Sequence, residues 1–157
     1  MSAAAEMWKD FNVAMVGGLA ALVGLLIVAM SVNIASILKA PQLPARAAGA
    51  IATLAYALVV SALGLVPAHP LWLYGAEAAI GLAVLGGLLF QALRAVADEQ
   101  GVSGWIRAVK AGIILLPPVV YAIGAVMLIF GSAAGLTWFG AGAVLTVISG
   151  VAFAWIV

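Results

Sequence analysis

The chain contains no cysteine and a single histidine. The first absence excludes disulfides, thiolate metal sites and cysteine nucleophiles. The second excludes a bis-histidine haem site, and no His/Glu cluster has metal-ligand spacing. Charge is scarce as well: six Lys and Arg stand against five Asp and Glu in 157 residues, a net charge of +1. So small a balance, with no interleaving of basic and aromatic residues, argues against a nucleic-acid partner. No nucleophile accompanies His69, and no glycine-rich phosphate loop follows a strand. The expectation is a protein that is not an enzyme and carries no cofactor. His69 lies in Val66-Pro67-Ala68-His69-Pro70 and reads as a surface-loop residue. The amino terminus lacks the basic segment of a secretory signal, so the first apolar run is expected to stay in the mature protein.

What the chain has in abundance is apolar length. Hydrophobic residues make up 68% and charged residues 7%, a ratio that places the chain in a bilayer. The runs are continuous, without period-two alternation, so they predict helices rather than strands. The fold expected is all-α: a polytopic bundle of five transmembrane helices over about 11–38, 45–66, 71–95, 106–130 and 136–157. Together they form one integral membrane domain, residues 1–157, with no soluble domain. The breaks carry helix-stop chemistry: Pro41 and Pro44, Pro67 and Pro70, Gly101 and Gly104, Gly131 and Gly135. Tryptophan favours the membrane–water interface, and Trp8, Trp72 and Trp138 fall at span ends on one side, Trp105 and Trp155 on the other. Lys39, Arg46, Arg94, Arg107 and Lys110 share one side, with Lys9 on the other. The positive-inside rule then puts the N-terminus outside and the C-terminus in the cytoplasm.

Small residues recur at three- and four-residue steps in three spans. They are Gly17, Ala21, Gly24, Val28 and Ser31 in the first, Ala50, Thr53, Ala57, Ser61 and Gly64 in the second, and Gly142, Thr146, Ser149 and Gly150 in the fifth. Such seams let helix backbones approach, either within a protomer or between copies. Pro117 and Pro118, midway in the fourth span, remove two backbone donors and predict a kink with freed carbonyls in the preceding turn.

Few polar groups enter the spans. Glu77 lies about two turns inside the third, where a carboxylate must be protonated, paired or hydrated. Gln91 sits within about 40° of it around the helix, and Arg94 extends the stripe through Gly81 and Leu88. This face lines either a polar path or a buried helix contact. Asp10 and Asn12 open the first span on the same side, as helix caps or, with Glu77 and with Tyr74 at the rim, as an outward-facing acidic site. On the cytoplasmic side Asn33 and Ser36 share a face, and the expected partners of Asn33 are backbone groups of the following proline-rich turn or Arg46. Surface pairs of Asp98 or Glu99 with the nearby cations contribute little.

Residues 29–38, Ala-Met-Ser-Val-Asn-Ile-Ala-Ser-Ile-Leu, lead into Pro41-Gln42-Leu43-Pro44-Ala45-Arg46-Ala47. This stretch resembles a family of small bacterial polytopic membrane proteins. In that family a Ser-x-Asn…Ile-Leu span end precedes a Leu-Pro-x-Arg-Ala turn, and the second span ends at Leu-x-Pro, here Leu65-Val66-Pro67. The likeness covers about residues 8–67. Some members carry the name of modulators of a membrane-bound AAA protease. The resemblance implies a bacterial inner-membrane location and a structural unit on the cytoplasmic side built from Ser31, Asn33, Pro44 and Arg46, to which Ser36 and Arg94 are adjacent. The function expected is that of an accessory or regulatory subunit working through contacts with lipid and other membrane helices. The alternative is a small homo-oligomeric channel or transporter using Glu77, Gln91 and Asn33.

Overall fold

The computed structural model describes residues 6–39, 43–98, 101 and 103–156, with residues 153–156 described as backbone only. Pro41, Glu99 and the side chain of Trp155 therefore lie outside the described residues. Within them every element is helical: α1 Lys9–Val32, α2 Ile34–Ile37, α3 Leu43–Leu63, α4 Leu71–Ala97, α5 Gly104–Ile129 and α6 Gly135–Ile156. All but α2 are long and apolar enough to cross a membrane. The shortest of these five, α3 with 21 residues, covers about 30 Å at 1.5 Å per residue.

The first span ends earlier than the hydropathy predicts. At Asn33 the backbone leaves helical geometry, with φ −100° and ψ 12°. Its side-chain amide donates to the Ala29 carbonyl at 2.9 Å, and its own backbone N–H donates to the same oxygen at 3.2 Å. A side chain competing for a helical acceptor interrupts the ladder. Residues 34–37 then form a separate turn of helix. The other boundaries fall within three residues of those expected.

Helices α3, α4, α5 and α6 close a ring in which each packs on the next and α6 returns to α3. The diagonal pair α3 and α5 barely touch. Helix α1 lies outside the ring, against α3 and the edge of α6. One end of the bundle carries Lys39, Arg46, Arg94, Arg107 and Lys110 and is called the basic end here. The opposite end carries Trp8 and the turns at 64–70 and 131–134.

The middle of the ring is an aromatic layer. Tyr56 meets Tyr121 edge-on at 5.0 Å, Tyr121 meets Phe139 at 5.5 Å, and Phe139 meets Tyr74 edge-on at 5.1 Å. Edge-to-face pairs of this kind add about 0.5–1.5 kcal/mol beyond the area they bury. Two hydroxyls tie neighbouring helices together: Tyr56 donates to the Ala78 carbonyl at 2.9 Å and Tyr74 to the Val60 carbonyl at 2.8 Å. The Val60 carbonyl also accepts from Gly64 N, using its second lone pair.

The small-residue seams of α3 and α6 face inward. Ala57 and Thr146 are buried, a Cβ on Gly142 would lie 2.9 Å from the Tyr121 ring, and one on Gly150 would lie 3.0 Å from Leu54. The seam of α1 does the opposite. Gly17, Ala21, Gly24, Val28 and Ser31 are all exposed, and a Cβ on Gly17 or Gly24 would meet nothing within 4 Å. Leu19 and Leu26, on the other face of α1, make its contact with the bundle.

A Cβ at Gly75 would come within 2.8 Å of the Ala125 carbonyl, so Gly75→Ala must push α4 and α5 apart. Its expected cost is ~1–3 kcal/mol in unfolding by denaturing detergent. Gly87→Ala, where a Cβ meets nothing, is expected to be neutral or stabilising by up to ~1 kcal/mol.

Candidate functional site

A vestibule opens at the basic end, about 600 Å³ counting its open mouth. It exists because α3 and α5 do not close on each other. Gly49, Ala50 and Ala92 keep its walls thin, Ile113 and Ile114 line it from α5, and Thr53 and Thr146 lie at its inner limit. Beyond Thr146, the Tyr121 ring against Gly142 separates it from the other end. The Tyr121 hydroxyl is buried beside Thr146 and has no hydrogen bond among the described residues.

Two cations line this space, Arg46 from the first turn of α3 and Lys110 from α5. Arg46 is only 8% exposed and has neither a hydrogen bond nor an ion pair with any described residue. None of its nitrogens is a fully enclosed atom without a partner, and the residue lines the vestibule. The hydroxyls nearby are committed elsewhere: Thr53 donates to the Gly49 carbonyl and Thr146 to the Gly142 carbonyl, both at 2.8 Å.

Pro117 and Pro118 account for the wall on the α5 side. Lacking N–H groups, they free the carbonyls of Ile113 and Ile114, four residues back along the helix. Ser149 of α6 donates to the Ile113 carbonyl at 3.2 Å and restores one of the two bonds. Both isoleucines border the vestibule, so the residues whose carbonyls the prolines free lie in its wall.

At the opposite end the reading of His69 as a surface-loop residue is corrected. Ala68 adopts a left-handed φ of 55°, and the His69 side chain, 10% exposed, packs into the bundle. Nδ1 lies 3.2 Å from the Leu63 carbonyl, which can only accept, so Nδ1 carries a proton. Nε2 lies 3.1 Å from Glu77 Oε2, a close contact that is not aligned as a hydrogen bond. The signal available in the sequence was the pair of prolines around a lone histidine, one short loop before the only acidic residue inside a span.

The other expected residues are partly assembled. Asn12 is buried rather than capping, since the cap position is Trp8, and it shares a small cavity with His69, Tyr74 and Gly64. Asp10 is exposed and takes no part. Gln91 and Arg94 are also exposed, with the Arg94 guanidinium 4.4 Å from the centre of the Phe90 ring. The stripe from Glu77 to Arg94 thus turns outward along α4 and lines no internal path. Nor do Ser31, Asn33, Ser36, Arg46 and Arg94 form a cluster. Ser31 donates to the Ile27 carbonyl and Asn33 to that of Ala29, each one turn back on its own helix, while Arg46 turns into the vestibule. Local carbonyls one turn away outcompete partners that must be reached across a loop.

The fold and these two sites define a multi-pass helical membrane protein. Compared with known proteins, the chain matches no family model, no curated protein and no solved structure.

Removing the Ser149 hydroxyl leaves the Ile113 carbonyl without a donor. Ser149→Ala is expected to lower stability by ~1–3 kcal/mol. Ser132→Ala, in the turn at the opposite end, serves as a control in the same detergent unfolding measurement and should change it by less than about 0.5 kcal/mol.

Proposed function

We propose that this protein is a non-enzymatic subunit of the bacterial inner membrane that works by docking α1 against another membrane helix. The observation carrying this reading is the outward small-residue seam, Gly17, Ala21, Gly24, Val28 and Ser31, on a helix whose Leu19 and Leu26 pack on the bundle from its other face. Against lipid, small side chains gain little contact. Against a second helix they allow close backbone approach, which is the main source of association inside a bilayer. The seam is continuous over about four turns, and Ser31 has its hydroxyl satisfied by Ile27, so the face carries no unpaired donor. An accessory role also agrees with the resemblance of residues 8–67 to small bacterial membrane proteins, some named as modulators of a membrane AAA protease. A channel through Glu77, Gln91 and Asn33 is not favoured, because Gln91 and Asn33 are exposed and Glu77 is engaged with His69.

Gly24→Leu is expected to weaken association by about tenfold or more, ~1.4 kcal/mol, in crosslinking and native mass measurements of protein extracted with its own lipids. The same change should alter protomer unfolding by no more than about 0.5 kcal/mol, because nothing in the protomer touches this position. A wild-type protein that runs as a lone monomer with no companion subunit would overturn the reading.

The orientation inferred with it has the N-terminus outside and the basic end in the cytoplasm. The absence of native cysteine makes single-cysteine labelling clean. Ala133→Cys should react with an impermeant thiol reagent from outside intact cells, and Ser103→Cys only after lysis; the reverse pattern would invert the topology.

A further inference from the structure

We infer that the vestibule at the basic end binds an oxyanion, a phosphate or carboxylate group, with Arg46 as its principal counter-charge. Arg46 is more than nine-tenths buried, it has no acceptor among the described residues, and it lines the vestibule. Five N–H donors held this way require acceptors, and buried charges in folded proteins are almost always partnered.

The surroundings select the chemistry of the partner. The vestibule wall contains no carboxylate among the described residues. Thr53, Thr146 and Ser149 have their protons on backbone carbonyls, which leaves recognition of a negative group to Arg46. A planar guanidinium fork matches the paired oxygens of a phosphate or carboxylate, and does so better than any neutral acceptor. The remaining wall, Ala50, Ala92, Ile113 and Ile114, is apolar and suits the first carbons behind such a head group. Two sources offer this chemistry, an anionic lipid entering from the membrane surface and a soluble phosphate entering from the aqueous phase. The site is independent of the α1 seam, which lies on another face of the protein.

The test uses the full-length protein in nanodiscs of phosphatidylcholine, alone or mixed with phosphatidylglycerol, and in a separate arm with inorganic phosphate added to phosphatidylcholine discs. Retained lipid is counted by native mass spectrometry and protection is read by thermal unfolding. Retention of phosphatidylglycerol by the wild type, reduced on the order of tenfold in Arg46→Gln and unchanged in Arg94→Gln, supports the site with a lipid as its source. Protection by inorganic phosphate alone, lost in Arg46→Gln, supports the site with a soluble oxyanion as its source. Should Arg46→Gln fail to fold, Ala50→Leu keeps the arginine and fills the vestibule, and binding must fall in it as well. Wild type and Arg46→Gln behaving alike toward both probes, or Ala50→Leu binding undiminished, would overturn the proposal.

Discussion

A backbone polar group inside a bilayer has no water to bond, so each must find its partner within the protein. Most of the structure follows from how that requirement is met where the helical ladder is broken or supplemented. Pro117 and Pro118 remove two donors in α5, and Ser149 of α6 supplies one in return. Asn33 takes over a carbonyl of its own helix and ends the first span there. Tyr56 and Tyr74 place their hydroxyls on carbonyls of neighbouring helices, and His69 is held by the Leu63 carbonyl at the end of α3. These side-chain bonds also fix which helices are neighbours, because each crosses from one element to another or stops an element where its neighbour begins.

Close packing adds the second condition. Gly142 receives the Tyr121 ring and Gly140 receives Trp8, while Gly75 lets α4 lie against the backbone of α5. The aromatic layer built on these approaches divides the interior into two unlike ends. One holds a cationic vestibule open to its own side; the other holds the His69–Glu77 pair and the small cavity around Asn12. No described polar residue bridges the layer with an unbroken hydrogen-bonded chain, and the Tyr121 hydroxyl within it has no hydrogen bond among the described residues. The protein therefore presents two separate polar sites and an apolar middle, together with an outer helix whose small-residue face is turned away from both.

Several features were legible in the residues themselves. Continuous apolar runs determined five spans, because a segment of that length and hydropathy has one stable place, and proline or glycine at the breaks determined where the chain turns. The two missing donors at Pro117 and Pro118 were equally direct, since an absent N–H is a covalent fact. The clustering of cations at one end was readable from their positions alone. The direction in which each seam faces was not. Gly17 and Gly24 in α1 look in sequence like Gly142 and Gly150 in α6, yet one set is exposed and the other packed. Periodicity places residues on one face of a helix but does not say what lies opposite that face.

The same limit explains the sites. Glu77 was conspicuous as an acid inside a span, but its partner depended on Ala68 turning His69 back toward the bundle, a local left-handed conformation that no residue type there demands. The stripe from Glu77 to Arg94 is real as a helix face, and only the packing of α4 against α3 and α5 decided that its lower part points outward. Arg46 read as a topology determinant and became the one buried cation because α3 and α5 stand apart at that end. By itself the sequence determined the spans, their breaks and the charge of each end, all of which depend on local composition. The tertiary structure alone decided which faces meet, since that depends on contacts between residues far apart in the chain.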